Sequence, residues 1–451
     1  MQTMHFEGKK VLFTAFSVAK TSESMALYHY LKNHGCTNIT TLFWGGEKVK
    51  QSIPDDIHTI EINSQTDIKG IDKSPYDVTF RHTSVSPESV ADAQKVMTST
   101  QLFFNDCQAP IIGVTGTKGK GTTSTLISKI LEAAGLETWL LGNVGTPALN
   151  VLPDIQSFSQ NTVVVYEMSS FQLWDIQKSP QTAVVLMIEP DHLDVHKNFE
   201  EYVAAKANIA RFQKSDDVIV FHPTNKHSLE IAEVSPAKTK KRFLTPEGAY
   251  VRSGEIIIDD TLICTVDEVM LPGEHNLQNI CAAITAAWKY TQDTNAIATA
   301  VKNFAGLDHR LEEVRTVNGV TFYNDSFSSA PGAAIAAVQS FEAPELVIMG
   351  GHDKGGDFSE LAQSFVDQKN IKKVFIIGEN RQKIANEFDK VKFLKYELIE
   401  STDFAEIVKK AYTSAEQGDI VLLSPASASF GMFKNFYERG TMFKKIVSDL
   451  S

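Results

Sequence analysis

The sequence predicts an α/β protein of three domains, the central one built on a mostly parallel sheet with helices on both faces. Its 451 residues exceed what one hydrophobic core usually organises. Short apolar runs alternate with amphipathic stretches along most of the chain. A glycine-rich turn from Gly113 to Thr123 joins a predicted strand to a predicted helix. Together these observations favour α/β units with a phosphate-binding turn in the middle of the chain.

The first domain is predicted to end near residue 108. Strands are expected over residues 10–16, 39–44 and 56–62, with a helix over 24–35. A dinucleotide-binding domain places Gly-x-Gly-x-x-Gly after its first strand, whereas residues 15–21 contain no glycine. A nicotinamide cofactor is therefore not expected.

Composition excludes several classes of protein. With 43% hydrophobic and 22% charged residues the chain is an ordinary globular one, and its net charge of -12 argues against nucleic-acid or anionic-membrane partners. The cysteines are too widely spaced for zinc or a disulfide framework and are expected to be reduced structural thiols, namely Cys36, Cys107, Cys264 and Cys281. The sequence shows no secretory leader or membrane-spanning run, so we expect a cytoplasmic protein. A monomer is expected as well.

The turn at Gly113 to Thr123 has the chemistry of a phosphate cradle. Glycines let backbone N–H groups face a polyphosphate, the helix N-terminus adds partial positive charge, and Lys120 can reach the terminal phosphates. Thr122 or Thr123 would then bind Mg²⁺. Gly121 separates Lys120 from these hydroxyls, so the usual P-loop spacing is missed. The alternative is a glycine-rich turn with a solvated lysine.

Acidic motifs follow two further strands of the central domain. Glu167 comes directly after the apolar residues 163–166, where it can hold Mg²⁺ beside the phosphate loop; the alternative is an ordinary surface glutamate. The strand 183–188 leads into Glu189-Pro-Asp-His-Leu-Asp-Val-His. Its His192 and His196 have the spacing of helical metal ligands, although such residues also serve structural roles.

Two later helices carry further polar residues. Lys206 lies next to the apolar stripe of a helix that begins at residue 199, and such a lysine is expected to extend its amine into solvent. Asn276 and Asn279 lie one turn apart on a helix that follows Gly273. They would cap that helix or contact a base.

The third domain begins after residue 308 as a new α/β series. Strands are predicted at 320–323, 346–349, 374–377 and 420–423. Each ends in a loop of small or charged residues, and four such loops at one sheet edge predict a binding face.

As a set, these motifs resemble the Mur ligase family. The residues that carry the resemblance are Gly113 to Thr123, Glu167-Met-Ser-Ser-Phe-Gln-Leu, Asp191-His-Leu-Asp, Tyr202-Val-Ala-Ala-Lys, Pro272-Gly-Glu-His-Asn-Leu-Gln-Asn, His309-Arg, Tyr323-Asn-Asp-Ser and Ser424-Pro-Ala-Ser-Ala-Ser-Phe-Gly-Met-Phe-Lys-Asn-Phe. The resemblance covers the central and third domains in order and is weak over the first hundred residues.

The resemblance implies a Rossmann-like domain for the UDP-sugar substrate at 1–108, a central P-loop ATPase-type domain at 109–308 and a Rossmann-like amino-acid-binding domain at 309–451. It implies ATP-dependent amide formation in peptidoglycan synthesis through an acyl phosphate. The implied substrates are ATP, UDP-N-acetylmuramoyl-L-alanine and D-glutamate, with two Mg²⁺ ions as cofactors. Partners would be these small molecules, with neither nucleic acid nor membrane.

The resemblance also assigns residues to roles. Catalytic residues would be Lys120, Glu167, His192 and Lys206, and metal ligands Thr122, Glu167, His192 and Lys206, the last if carbamylated. ATP would be bound by Gly116, Thr117, Lys118, Gly119, Lys120, Gly121, Thr122, Thr123, Asn279, Arg310 and Asp325. The other substrates would contact Asn143, Ser169, Lys354, Ser429 and Phe436.

Three departures from the family pattern leave alternatives open. Gly121 gives the loop a form similar to that of folylpolyglutamate synthase, Phe327 stands where a lysine is expected to face D-glutamate, and the first domain lacks the family's nucleotide-binding motifs. A related ligase with another amino acid or a folate acceptor, and an inactive nucleotide-binding scaffold, are the alternatives. A diamino-acid-adding enzyme is less favoured, since no Asp-Asn-Pro-Arg type motif is present.

Overall fold

A computed structural model of the chain describes residues 5–16, 22–44, 46–51, 53–143, 146–157, 161–193, 195–271, 273–353 and 356–450. The chain divides into two compact units, Met1–Phe304 and Ala305–Ser451. They are called unit 1 and unit 2 here. The three-domain boundaries at residues 108 and 308 remain predictions.

Unit 1 alternates strands and helices. Its described strands are β1 Lys10–Phe13, β2 Asn38–Phe43, β3 His58–Glu61, β4 Val78–Phe80, β5 Val96–Met97, β6 Ile111–Thr115, β7 Glu137–Gly142, β8 Thr162–Glu167, β9 Thr182–Val185, β10 Val218–Phe221, β11 Thr239–Arg242, β12 Tyr250–Arg252, β13 Glu255–Ile258 and β14 Thr261–Thr265. Its described helices are α1 Glu23–Asn33, α2 Glu47–Lys50, α3 Ser99–Asp106, α4 Lys120–Ala133, α5 Ala148–Ser157, α6 Ser170–Leu173, α7 Phe199–Arg211, α8 Lys226–Val234, α9 Glu274–Ala287 and α10 Thr294–Asn303.

The described strands of unit 1 form three sheets. The first has the order β3-β2-β1-β4-β5 and the second β11-β10-β9-β6-β8-β7. Every pairing in these two sheets is parallel, as predicted for the central sheet. A small antiparallel sheet, β12-β13-β14, was not predicted.

β6 lies in the interior of the second sheet, and its apolar residues allow it to be covered on both faces. All five residues of β6 are buried, as is typical of parallel strands between two layers of helices. The two parallel sheets also share a core. Phe103 of α3 packs against Tyr166 of β8, with ring centroids 5.6 Å apart, and both belong to a cluster that includes Phe13 of β1 and Phe80 of β4.

Unit 2 contains one sheet among its described residues. Its strands are β15 Glu312–Val317, β16 Val320–Asn324, β17 Glu345–Gly350, β18 Ile371–Ile377, β19 Tyr396–Leu398 and β20 Ile420–Leu423. Its helices are α11 Pro331–Val338, α12 Ser359–Asp367, α13 Arg381–Lys390, α14 Phe404–Thr413 and α15 Phe436–Ser448. The strand order is β15-β16-β20-β17-β18-β19, with only the β15 pairing antiparallel. The four predicted strands are present, whereas β15 and β19 were not predicted.

Alternate residues of β17 pack into two separate hydrophobic cores. Val347 and Met349 pack into one cluster, and Leu346 and Ile348 pack into the other, on the opposite face. This period of two is the geometry of a strand buried on both sides. β16, β20, β17 and β18 are consecutive and parallel, so the four polar loops that follow them lie at one edge of the sheet, as predicted.

The four cysteines are buried and unpaired by disulfides, as expected of reduced structural thiols. No helix in the described ranges is both long and apolar enough to span a membrane.

Candidate active site

Three motifs of unit 1 lie at one edge of its second sheet. β6 lies between β8 and β9, and all three strands are parallel. The glycine-rich turn follows β6, Glu167 ends β8, and the segment from Glu189 to His196 lies beyond β9. Because ligands bind outside the carboxyl ends of adjacent parallel strands, this topology defines the candidate site.

The turn between β6 and α4 depends on glycine. Gly119 precedes α4 with a φ of 82°, and a Cβ at this position would lie 2.3 Å from Oδ1 of Asn279. Any other L residue would be excluded by both the backbone and the contact. A Cβ on Gly116 would approach the Cβ of Leu186 to 2.7 Å. The N-terminus of the 14-residue helix α4 is therefore free of bulky side chains, as anion-binding helix ends are.

Lys120 is held on the turn. Its Nζ donates to the carbonyl oxygens of Gly116 at 3.0 Å and Thr117 at 2.9 Å. The side chain is half-buried, so it differs from the extended, solvated lysine of the alternative interpretation. Its amine lies at the helix N-terminus, where the predicted ATP phosphates would bind.

The hydroxyl residues of the turn have different surroundings. Thr123 is buried and donates to Oδ1 of Asn279 at 3.4 Å, whereas Thr122 is half-buried. Thr117 donates to the carbonyl oxygen of Glu189 at 3.0 Å and so ties the turn to the segment after β9. The metal-ligand prediction therefore stays with Thr122. Of the remaining turn residues, Gly121 is buried and Lys118 is exposed.

Asn279 of α9 lies directly against the phosphate turn. Besides its contact with Gly119, its Nδ2 donates to Oδ1 of Asn276 at 3.3 Å. α9 begins after Gly273 without a side-chain cap. The N-cap residue of α9 is therefore Gly273 and neither asparagine, and the base contact of Asn279 stays a prediction.

Glu167 is buried, with 4% of its surface exposed. Asn143 donates from Nδ2 to Oε1 of this carboxylate at 3.0 Å, and from its backbone N to the Glu167 carbonyl at 3.1 Å. Oε2 is buried and has no hydrogen-bond partner among the described residues. A buried carboxylate oxygen without a partner is unfavourable. Such an oxygen fits a metal ligand, and Asn143, predicted to contact substrate, orients the carboxylate.

His192 and His196 do not form the helical pair that their spacing indicated. Residues 189–193 and 195–198 form no helix, His192 has a φ of 53°, and its side chain is 48% exposed. His196 is buried, and its Nε2 lies 3.0 Å from Oγ of Ser170 while its ring stacks on Phe171. Burial lowers the pKa of His196. His196 therefore has a packing role. His192 stays a predicted metal ligand because it lies in the segment that follows β9 at the candidate site.

No described group of three or more His, Cys, Asp or Glu side chains forms a metal site. Asp191 lies beside His192, with Oδ2 3.7 Å from Nε2. The fit of this edge to Mg²⁺ therefore depends on Glu167 Oε2 together with the Thr122 hydroxyl and the His192 imidazole, rather than on an acidic cluster.

Lys206 is buried, with 1% of its surface exposed, so the expectation that its amine extends into solvent is wrong. Its Nζ donates to the carbonyl oxygen of Gly116 at 2.9 Å and to Oγ1 of Thr115 at 3.4 Å. Burial lowers the pKa of Lys206 well below its ordinary value, and the charge of Lys120 lowers it further, opposed by the carboxylates of Asp191 and Glu167. Lys206 is buried because its side chain extends from α7 to the phosphate turn, where the Gly116 carbonyl accepts its hydrogen bond.

Sequence reasoning did not assign a role to Tyr202, one turn before Lys206. Its ring centroid lies 4.6 Å from Nζ of Lys206 and its hydroxyl 3.1 Å from Oγ1 of Thr117. The i, i+4 spacing on one helix was the available signal.

Arg81 was also missed. It is buried at the end of β4 and donates to both oxygens of Asp175 at 2.7 Å and to the carbonyl oxygen of Phe171 at 3.0 Å. Arg81 thus joins the first sheet to the segment that follows Glu167. Ser169, predicted to contact substrate, accepts a hydrogen bond from the backbone N of Gln172 and caps α6.

The predicted residues of unit 2 that the structure describes lie at the polar loop edge of its sheet. Asp325 is buried after β16, with Oδ2 accepting from Ser424 at 2.7 Å and from Ser328, and Oδ1 from the backbone N of Leu311 at 3.2 Å. Burial raises its pKa to about 6. These hydrogen bonds hold the loop after β16 in place through Asp325.

Arg310 is exposed, and its guanidinium carbon lies 5.3 Å from the ring centroid of Phe327. Phe327, 43% exposed, meets Phe436 edge to face at 5.2 Å. Ser429 is buried in the loop after β20. Lys354 lies outside the described residues.

A second buried arginine, Arg439 of α15, was not identified from the sequence. It donates to the side chain and carbonyl of Ser326 at 2.9 and 2.8 Å and to the carbonyl of Ser427 at 3.2 Å. Burial lowers its pKa to about 10. Arg439 fixes the loops after β16 and β20 to each other.

Comparisons with known proteins agree with this architecture. Residues 114–287 match the family described as Mur ligase middle domain, and residues 309–427 match that described as Mur ligase, glutamate ligase domain. The chain is 36% identical over 387 residues to a UDP-N-acetylmuramoylalanine--D-glutamate ligase of Clostridium botulinum (strain 657 / Type Ba4), covering 83% of each chain. It is 36% identical over 360 residues to the enzyme of that name from Caldanaerobacter subterraneus subsp. tengcongensis, covering 79% of each.

Solved structures with a similar fold have much lower sequence identity. The MurF ligase of Thermotoga maritima, in complex with ADP, has a TM-score of 0.56 at 18% identity, covering 98% of this chain and 96% of that chain. A UDP-N-acetylmuramoylalanyl-D-glutamyl-2,6-diaminopimelate--D-alanyl-D-alanyl ligase from Acinetobacter baumannii has a TM-score of 0.57 at 14% identity, covering 99% and 92%. These similarities support the fold.

Proposed function

The chain belongs to the Mur ligase family, and we propose that it joins D-glutamate to UDP-N-acetylmuramoyl-L-alanine in an ATP-dependent reaction of peptidoglycan synthesis. The relatives that share 36% of its residues carry this activity in their names. The observation that carries the chemical part of the proposal is the convergence of Lys120 and Lys206 on the carbonyl oxygen of Gly116, at the N-terminus of α4.

In the first step, a carboxylate oxygen of the acceptor's alanine attacks the γ-phosphorus of ATP, and the bond to the bridging oxygen of ADP breaks. The chain supplies positive charge and position rather than a nucleophile. Lys120 and the backbone N–H groups of the turn at Gly116–Gly119 neutralise the phosphate oxygens. Asn279, beside Gly119, is assigned to the adenine end of ATP.

In the second step, the amine of D-glutamate attacks the acyl carbon, loses a proton, and displaces phosphate to leave the amide. Unit 2 is proposed to bind this amino acid through Ser429, Phe436 and Lys354, and to contribute Arg310 and Asp325 to ATP binding. Residues 1–108 are assigned to the nucleotide-sugar acceptor, with Asn143 and Ser169 as further contacts.

The residues that would hold Mg²⁺ are Thr122, Glu167 and His192, with Lys206 as a fourth if its amine is carbamylated. The buried, unpartnered Oε2 of Glu167 supports this assignment. Bound Mg²⁺ would neutralise charge on the transferred phosphoryl group. We propose two ions, as the family resemblance implies.

ADP release tests the proposal. Purified protein is incubated with ATP, Mg²⁺ and UDP-N-acetylmuramoyl-L-alanine, with D-glutamate compared against L-glutamate and other amino acids, and a folate acceptor is tested in parallel. ADP release that requires both the acceptor and D-glutamate is expected. Release with another pair would retain the ligase chemistry and change the substrate, and no release with any pair would refute the proposal.

A further inference from the structure

Arg310 lies on a turn with an unfavourable backbone. His309 has a φ of 63° and Leu311 a φ of 45°, on either side of Arg310. Residues with a Cβ rarely occupy this left-handed region, and such strain persists only where the surroundings hold it. Strained backbone of this kind concentrates at functional sites.

The turn is held by the loop after β16. The backbone N of Phe327 donates to the His309 carbonyl at 2.9 Å, and the side chains of His309 and Asn324 are 2.8 Å apart at Nδ1 and Nδ2. Oδ1 of Asp325 accepts from Leu311 N at 3.2 Å. His309 is buried against α15, where Gly440 leaves room for its ring. The turn and the loop therefore form one rigid piece.

This rigid piece places the ring of Phe327 under the guanidinium of Arg310. The 5.3 Å separation is within the range of a cation–π contact. Phe436 fixes the ring plane by its edge-to-face contact at 5.2 Å and 90°. Within the described part of unit 2, no carboxylate lies within 4.0 Å of the guanidinium. The ring face of Phe327 is thus the group that holds the exposed guanidinium of Arg310 in place.

We propose that Phe327 is a positioning residue for ATP binding: its ring supports Arg310 and fixes the orientation of the guanidinium that the proposed function assigns to ATP. The inference rests on the proposed function, which assigns Arg310 to ATP. It also gives Phe327 a role where the family resemblance leads one to expect lysine. A lysine ammonium would repel the guanidinium, whereas a phenyl face attracts it.

A double-mutant cycle on ATP affinity tests the inference. Affinity for ATP with Mg²⁺ is measured by calorimetry without acceptor or amino acid, for the unmodified chain, Phe327→Leu, Phe327→Tyr, Arg310→Ala and the Phe327→Leu/Arg310→Ala double variant. Phe327→Leu is expected to weaken binding about two- to fivefold, the range of an exposed cation–π contact. Phe327→Tyr keeps the ring and should bind as the unmodified chain does. In the Arg310→Ala background, Phe327→Leu should have no further effect.

Four results would overturn the inference: unchanged affinity in Phe327→Leu, an equal loss in Phe327→Tyr, the same loss with and without Arg310, or no loss in Arg310→Ala. Thermal unfolding checks that each variant is folded, and Phe327→Met replaces Phe327→Leu if the latter is not. Because the assay needs neither acceptor nor D-glutamate, it separates this inference from the substrate assignment. If the cycle behaves as expected while D-glutamate gives no turnover, only the substrate assignment fails.

Discussion

Lys120 and Lys206 donate to the same carbonyl oxygen, that of Gly116, at 3.0 and 2.9 Å. Two cations that converge at a partly buried point repel each other unless an anion lies between or beside them. Burial and the neighbouring charge of Lys120 lower the pKa of Lys206. The cation of Lys120 beside a helix N-terminus has the electrostatics to bind a polyphosphate, which is the basis of the proposed ATP site.

Replacing Lys206 by methionine should separate function from stability. Methionine has a similar volume and removes a buried amine, so the free energy of unfolding should be unchanged or higher by about 1–4 kcal/mol. Turnover should fall at least about hundredfold. Denaturant unfolding and ADP release measure the two effects. The matched control is Lys178→Met, a lysine of unit 1 whose pKa burial also lowers; it should keep its turnover. Normal turnover in Lys206→Met would contradict the site.

Lys120→Ala should abolish turnover while the fold is retained. Removing the cation nearest the phosphates is expected to lower the rate at least about hundredfold, the loss typical of one deleted charge-stabilising group. Lys129→Ala, an exposed lysine on the same helix that pairs with Glu132 at 3.0 Å, should have near-normal activity. Comparable rates for the two variants would show that Lys120 does not bind the phosphates.

Glu167→Gln should raise the Mg²⁺ concentration needed for half-maximal turnover by at least about tenfold, since an amide nitrogen replaces a carboxylate oxygen. The melting temperature should change little, because Asn143 can still donate to the remaining carbonyl oxygen. Asn143→Ala should shift the same Mg²⁺ titration in the same direction by a smaller factor. A Glu167→Gln enzyme with an unshifted Mg²⁺ titration would remove Glu167 from the metal assignment.

The buried carboxyl of Glu345 should make the stability of unit 2 depend on pH. Burial raises the pKa of its carboxyl to about 8, against an ordinary 4.5, and Nδ2 of Asn370 donates to it at 2.8 Å. Between about pH 4.5 and pH 8 the unfolded chain releases a proton that the folded chain retains, so stability contributed by the protonated acid is lost as pH rises.

Glu345→Gln should therefore remove part of that loss. Melting temperatures at about pH 5 should be similar in both proteins, and at about pH 8.5 the variant should be higher by a few degrees. The exposed Glu342→Gln is the control and should follow the unmodified chain. Parallel pH profiles for Glu345→Gln and the unmodified chain would show that Glu345 does not titrate as burial implies.

The site motifs could be predicted from the sequence because each is a short stretch of consecutive residues. Gly116 to Thr123, Glu167 and His192 each follow an apolar run, and the carboxyl end of a parallel strand is where such residues act. The order β8-β6-β9, which makes them neighbours, arises from long-range pairing that no local pattern encodes.

Side-chain environment was the harder part to predict. Lys206 looked like a lysine at the edge of an apolar stripe, and its burial depends on Gly116, which is 90 residues away in the sequence. His192 and His196 had helical spacing, but the backbone turns at His192 and breaks the periodicity. The support of Arg310 by Phe327 likewise needs the strained turn at residues 309–311.

Oxygen transfer from the acceptor to phosphate tests the central claim most directly. The alanine carboxylate of UDP-N-acetylmuramoyl-L-alanine is labelled with ¹⁸O, and the phosphate released in the presence of ATP, Mg²⁺ and D-glutamate is analysed by mass spectrometry. Attack of the carboxylate on the γ-phosphorus, followed by displacement by the amine, predicts that one labelled oxygen appears in each phosphate. Unlabelled phosphate would mean that ATP is hydrolysed by water, and would contradict the proposed ligase reaction.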